Sequence, residues 1–343
     1  MRWWKRHGEP RTIQTPWTRR SARPSLVLAL GVAACSGTLD AGSDEPKGKL
    51  PVDDRNPVVL CNDSSSDNWQ GEYAMLLSST GGLRLTGIVV TSSRFWPSLD
   101  DNLSGWTSMV TAARQAGLKN IPDPVPSDSP PLVSPRDGNI DSTLSNGSDG
   151  ALFIVAESKR VALPFRPLVV VTGGALTDVA DAYLIDHTLA DRVVVVSWLG
   201  AITPDGAEMG VPNGDLDTWA DIIVAQKLRY IQVSAVYDQS TDVPSSILPQ
   251  LPTNTFTSWM RTKQPHVWSA LVAADQVGVL VTALPSFVSA TNPAVQRGVS
   301  ANSLPALAND ASGSDWLVTQ VNDALAPARL WQTLLDPETF GAH

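Results

Sequence analysis

The chain has 343 residues, 43% of them hydrophobic and 17% charged. That composition belongs to a core-forming protein and excludes an intrinsically disordered one, with room for one large domain or two small ones. A formal charge of −9 argues against a nucleic-acid backbone as partner.

The chain opens on a basic stretch, Arg2, Lys5, Arg6, Arg11, Arg19, Arg20 and Arg23, followed by the apolar run SLVLALGVAA (Ser25 to Ala34). Ten residues are too few to span a bilayer as a helix of about 20, and they match the h-region of a signal peptide. The run ends in VAAC, which resembles the lipobox of bacterial lipoproteins; an ordinary signal peptide that ends near a cysteine is the alternative. The resemblance implies removal of residues 1–34 and a lipid on Cys35. The protein would then sit in the bacterial cell envelope, on the periplasmic or outer side of a membrane and held by lipid alone. Arg19-Arg20 is compatible with twin-arginine export. Seven basic residues and one acidic residue leave with the segment, which takes the net charge to −15. Residues 35–55, small, polar and Pro/Gly-rich, read as a flexible tether. With Cys35 lipidated, Cys61 is the only other cysteine and no internal disulfide forms.

From residue 56 to 343 the chain reads as one domain. PVVL (57–60) is a short buried strand, and the polar knot CNDSSSDN (61–68) separates it from a helix with apolar spacing at Trp69, Tyr73, Leu76 and Leu77. Strands follow at 85–92, 166–174, 192–198 and 229–235, with helices at 103–118, 149–161, 175–186 and 216–228. Segment 119–148, rich in Pro, Ser, Asp and Gly, is a long loop of the kind that is often functional. Near-continuous Val/Ile strands alternating with helices predict an α/β, Rossmann-like fold: a mostly parallel central sheet with helices on both faces. Ligands of such sheets bind at the carboxyl ends of the strands. The knot at 61–68 and TGGALTD (172–178) lie at such ends, and GVPNGDLD (210–217) comes before a helix on the same scaffold.

The motif order resembles the inosine/uridine-preferring nucleoside hydrolase family. CNDSSSDN stands where that family has Asp-x-Asp-x-x-x-Asp-Asp. GGALTDVADAYL matches its Gly-Pro-Leu-Thr-Asn-x-Ala segment, and VPNGDLDTWAD its Glu-Phe-Asn-x-x-x-Asp-Pro segment. AADQVGVLVTALPSF matches its His-Asp-Pro run, and VNDALAPARLWQTLL its closing helix. The resemblance implies a Ca²⁺ site with hard oxygen ligands, six to eight in number. Asp63 would be ligand and general base, Asn68 a neutral ligand, Asp275 a ligand from the far side, and a main-chain carbonyl at Thr172 or Gly173 a further one. Asp67 and Asn213 would hold the sugar hydroxyls. The implied partner is a small nucleoside or riboside, and a homo-oligomer is compatible with it. The sequence departs from the family at Cys61 and Asn68, each in place of an Asp, at Val211 in place of a Glu, and at Ala274 in place of a His. Arg94 sits about where the family has an Asn after its second strand.

Each of these residues has a plainer reading beside the functional one. Asp67 suits a helix cap, Asp63 an Asx-turn, Asn213 before Gly214 a turn, and Asp275 an exposed helix position. Asp217 reads as an N-cap, Cys61 as a buried strand-end thiol, His266 as structural or surface, and Trp198 and Trp219 as core. Two functions follow: a hydrolase of the N-glycosidic bond, favoured by Asp63, Asp67 and Asp275, or a sugar-binding lipoprotein without catalysis, favoured by the departures. The chain contains no Gly-x-Ser-x-Gly elbow, Walker motif or dinucleotide-binding glycine motif.

Overall fold

The valine runs become strands buried on both faces. The computed structural model describes residues 50–66, 69–198, 212–233, 248–263, 275–297 and 306–322, with a few further positions between 325 and 336. The parallel part of the sheet is built from β1 (Pro57–Asn62), β2 (Arg84–Val90), β3 (Pro124–Pro126), β4 (Leu168–Thr172), β5 (Val193–Trp198) and β6 (Arg229–Val233). Alternate side chains of each strand point to opposite faces. Val58, Leu60, Val169, Val171, Val194 and Val196 therefore enter one core, and Val59, Cys61, Val170, Val193 and Val195 the other. The first core is closed by α1 (Gln70–Ser79), α2 (Leu99–Gln115), α7 (Thr255–Lys263) and α8 (Gln276–Ala283). The second is closed by α3 (Asp149–Val161), α4 (Thr177–Ile185) and α6 (Thr218–Lys227).

The helices follow local signals. In α2, Trp106, Met109, Val110 and Ala113 recur at i, i+3, i+4 and i+7 and are buried, the stripe of a core-facing helix. The helix begins four residues before the predicted Leu103 because the Ser98 hydroxyl accepts from the Asp101 N–H, satisfying an otherwise orphan donor. It stops before Gly117, whose φ of +93° suits glycine. In α3 the Ser148 hydroxyl caps Ala151 N, and the helix covers the predicted residues end to end. Segment 119–148 is largely irregular, with β3 and a short 3₁₀ turn, Ile140–Ser142. Residues 50–55, placed in the tether by composition, pack into the domain: Leu50 and Val52 lie in the first core, and Asp53 is buried against Arg55 and Asn56.

Among the described residues nine strands order as β3-β2-β1-β4-β5-β6-β9-β7-β8. The last three, β7 (Val288–Arg297), β8 (Ala306–Asn309) and β9 (Asp315–Val321), were not predicted. β9 runs parallel to β6, and β7 runs antiparallel to both its neighbours. The expected closing helix at 321–335 begins on the last residue of β9 and otherwise lies largely outside the described residues. From β1 the chain moves outward to β2 and β3, then returns to place β4 on the other side of β1. That reversal opens a crevice beyond the carboxyl ends of β1 and β4, where open α/β sheets bind ligands.

Candidate active site

The register puts Cys61 of β1 opposite Thr172 of β4. Gly173 N–H extends the ladder to Cys61 O at 2.9 Å. Strand alternation then sends Cys61 to the second core and its neighbour Asn62 to the other side, into the crevice. Asn62 Nδ2 donates to Gln70 Oε1 at 2.7 Å, with Asp275 Oδ2 at 3.5 Å, and Gln70 Nε2 donates to Asp275 O at 3.2 Å. Asn213, on the short helix α5 (Pro212–Leu216), donates from Nδ2 to Asp275 Oδ1 at 3.2 Å and to Trp198 O at 2.9 Å. Asp275 is buried and stands at the start of α8 without capping it. The exposed-helix reading of Asp275 and the Asn-Gly-turn reading of Asn213 are both overturned, since each side chain points inward to the other.

Gly173 and Gly174 each lie against one of the two carboxylates. A Cβ on Gly173 would lie 2.3 Å from Asn62 Nδ2 and 2.6 Å from the Asp275 carboxyl carbon; one on Gly174 would lie 3.6 Å from the Asp63 carboxyl carbon. Two consecutive residues of one backbone thus touch Asp275 and Asp63, and at Gly173 only glycine leaves room for this packing. Asp63 is buried. Burial pushes its carboxyl up to about 6, against hydrogen bonds from the Ser93 hydroxyl and the Ser64 N–H, the latter 2.7 Å from Oδ1. Thr172 ends β4 with its Oγ1 buried and unbonded, and Asn62 Oδ1 is in the same state.

The structure therefore brings Asp63, Asp275, Asn213 and Thr172 to the switch point. Asp67, Asn68, Val211, Ala274, His266 and Cys35 lie outside the described residues. Cys61 is a buried free thiol, held protonated by burial and then by the Asp178 and Asp63 charges. Asp217 caps α6 through Ala220 N and also accepts from Leu132 N and Thr177 Oγ1, so it is structural. Trp219 is core, its Nε1 donating to Thr143 Oγ1. Asn62, Gln70 and Ser93 were not assigned from sequence; strand parity was the one available signal, since it places Asn62 on the face of Val58 and Leu60.

No sequence-family profile and no curated protein matches the chain. Among solved structures it is similar to an inosine-uridine preferring nucleoside hydrolase from Bacillus anthracis, at 13% identity over 81% of this chain and 99% of that one, TM-score 0.56. It is similar also to an inosine-guanosine nucleoside hydrolase, at 16% identity over 81% of this chain and 99% of that one, TM-score 0.58. A third is the type III effector protein XopQ complexed with adenosine diphosphate ribose, at 14% identity over 85% of this chain and 96% of that one, TM-score 0.50. The fold is that of the nucleoside hydrolases, an α/β Rossmann-like architecture.

Proposed function

We propose that the protein hydrolyses the N-glycosidic bond of nucleosides or related ribosides, with Asp63 as general base. The observation that carries this reading is that Asp275 and Asp63 pack against the successive glycines Gly173 and Gly174 at the switch point. A carboxyl raised to about 6 is still mostly ionised near neutral pH and is a better proton acceptor than an ordinary aspartate. It takes a proton from water as the oxygen bonds to the anomeric carbon and the base departs. Asn213 and Asp67 hold sugar hydroxyls. That solved neighbours of this fold are named for nucleosides, and one is complexed with adenosine diphosphate ribose, supports a ribosyl compound as ligand.

The residues fit a Ca²⁺ ion. Its donors would be the Asp63 and Asp275 carboxylates, the Thr172 carbonyl and Asn68, with the unbonded Asn62 Oδ1 as a further hard oxygen. When bound, Ca²⁺ would supply positive charge that favours deprotonation of the attacking water. Among the described residues no three His, Cys, Asp or Glu side chains group around one point, so neutral oxygens would complete the shell.

A specific observation favours the second reading, a riboside-binding protein without catalysis: both Asp275 oxygens face amide N–H groups, of Asn62 and Asn213, which can balance that carboxylate without a cation. Calorimetric Ca²⁺ titration of wild type and Asn68→Asp, beside a nucleoside panel assayed for free base, separates the two. The hydrolase reading expects base release, and tighter Ca²⁺ in the variant because affinity follows ligand charge. The binding reading expects no base release, no Ca²⁺ uptake by either protein, and a lower melting temperature for Asn68→Asp through like-charge repulsion. We further propose that a lipid on Cys35 holds the protein to the cell envelope; fatty-acid labelling that is lost in Cys35→Ser tests it.

A further inference from the structure

The mouth of the crevice carries a cation that hydrolysis of a neutral nucleoside does not use. Residues 91–96 leave β2 and are fixed in a tight turn. Ser93 Oγ accepts from Phe95 N at 3.2 Å and Trp96 N at 3.1 Å, and Asn102 Nδ2 donates to Thr91 O and Trp96 O at 3.0 Å each. The Ser93 hydroxyl also reaches the Asp63 carboxylate. Arg94, the next residue, pairs its Nη2 with Asp215 Oδ2 at 2.5 Å. Asp215 lies two residues beyond Asn213 on α5. The pair therefore links the Asp63 side of the crevice to the Asn213–Asp275 side, at its rim. Both partners are open to solvent, at 54% and 56% exposure. The guanidinium carbon stands 4.9 Å from the centre of the Phe95 ring, itself 48% exposed.

We propose that this site takes ribosyl compounds carrying a phosphate, and that Arg94 binds the phosphate in exchange for Asp215. The inference rests on the riboside reading of the site and names the class of riboside. The acidic floor, Asp63 and Asp275, repels an anion, as does a chain of net charge −9, so a phosphate must meet its cation at the rim. The guanidinium fork matches a phosphate in two parallel hydrogen bonds. Its present partner is an exposed carboxylate, and such pairs contribute only about 0–1 kcal/mol, so a dianion can displace it. The ring of Phe95 beside the guanidinium adds a cation–π contact that helps to hold it at the rim.

Calorimetry of ribose and ribose 5-phosphate at low ionic strength tests the proposal on the purified protein. Ribose 5-phosphate should bind at least about tenfold tighter than ribose in the wild type, a difference of one well-placed ion contact. In Arg94→Ala and Arg94→Gln the ratio should fall to about one. Asp215→Asn, which frees the guanidinium, should tighten ribose 5-phosphate several-fold, roughly the strength of an exposed pair, and leave ribose unchanged. Ribose bound as well as ribose 5-phosphate would overturn the phosphate assignment and leave the riboside reading standing. A phosphate preference that survives in Arg94→Ala would overturn the role of Arg94. Binding of neither sugar would overturn both this inference and the riboside reading. All three substitutions are at exposed positions, and unchanged melting curves verify folding.

Discussion

Two pairs of aspartates lie near the carboxyl end of β1, and they differ in what they hold. Behind the sheet, Asp178 Oδ1 accepts from the Ser127 and Ser148 hydroxyls at 2.6 and 2.8 Å. Asp181 accepts from the Ser145 and Ser148 hydroxyls and the Asn146 and Ser148 N–H groups, all between 2.7 and 2.9 Å. These carboxylates pin the loop before α3 onto α4. In front, at the crevice, Asp63 and Asp275 pack against Gly174 and Gly173, Asp63 accepting from the Ser93 hydroxyl and the Ser64 N–H and Asp275 facing the Asn62 and Asn213 amides. Burial raises Asp178 as it raises Asp63, so what separates the pairs is place: Asp178 and Asp181 fasten a loop to a helix, and Asp63 stands at the switch point, where a raised carboxyl can do chemistry. Residue type alone does not distinguish the two pairs.

The largest expected effect tests the front pair. Asp63→Asn should lower nucleoside hydrolysis by roughly 10²–10⁴-fold, the range of general-base catalysis, without lowering the melting temperature near neutral pH, since burial disfavours the charge that is removed. Steady-state assay beside a thermal melt reads both. Asp181→Ala should do the reverse. It strands several donors and should cost roughly 2–4 kcal/mol in urea unfolding, while activity per folded molecule persists. A loss of activity in Asp181→Ala at full stability would erase the distinction between the pairs.

A third carboxylate sharpens the comparison. Asp221 on α6 has neither of its oxygens bonded, and burial followed by the Asp217 charge pushes it from 3.8 to about 8. The folded state thus holds this proton more tightly than the unfolded chain. Its contribution is intact below about pH 4 and lost as pH rises toward about 8. Asp63, at about 6, and Asp315, raised to about 7 by burial, act in the same direction over narrower windows. Asp221→Asn should therefore be more stable than wild type at pH 9, by on the order of 1–3 kcal/mol, and no more stable at pH 4. Urea melts at the two pH values check it; equal gains at both would mean that Asp221 is not charged by folding-linked titration.

The parallel half of this fold was legible because its signals are local. RPLVVVTGG and RVVVVSW are buried on both faces and read as strands without a partner in view, and Ser148 marks the start of α3 to the residue. β7 was missed because VSATNPAVQR mixes polar residues and a proline with apolar ones, and its strand character comes from pairing with β8 and β9. At the crevice, motif order pointed to Asp63, Asp275, Asn213 and the carbonyl end of β4, and their placement there is what the structure adds. Asn62 and Gln70 were not, since a neutral amide in a strand or helix carries no pattern. Asn62 and Asp275 are 213 positions apart, and their meeting depends on the whole crossover from β1 to α8.

The sheet also ends in a way that governs how molecules behave when crowded. Its first edge strand, β3, is Pro124-Val125-Pro126, and neither proline has an N–H to offer. Among the described residues the opposite edge is β8, four residues long. A strand from another copy would find at most one donor at the first edge and little length at the second, too few to template cross-chain pairing. Copies concentrated on a membrane surface, as the proposed anchor at Cys35 would concentrate them, are thereby guarded against sheet-to-sheet aggregation.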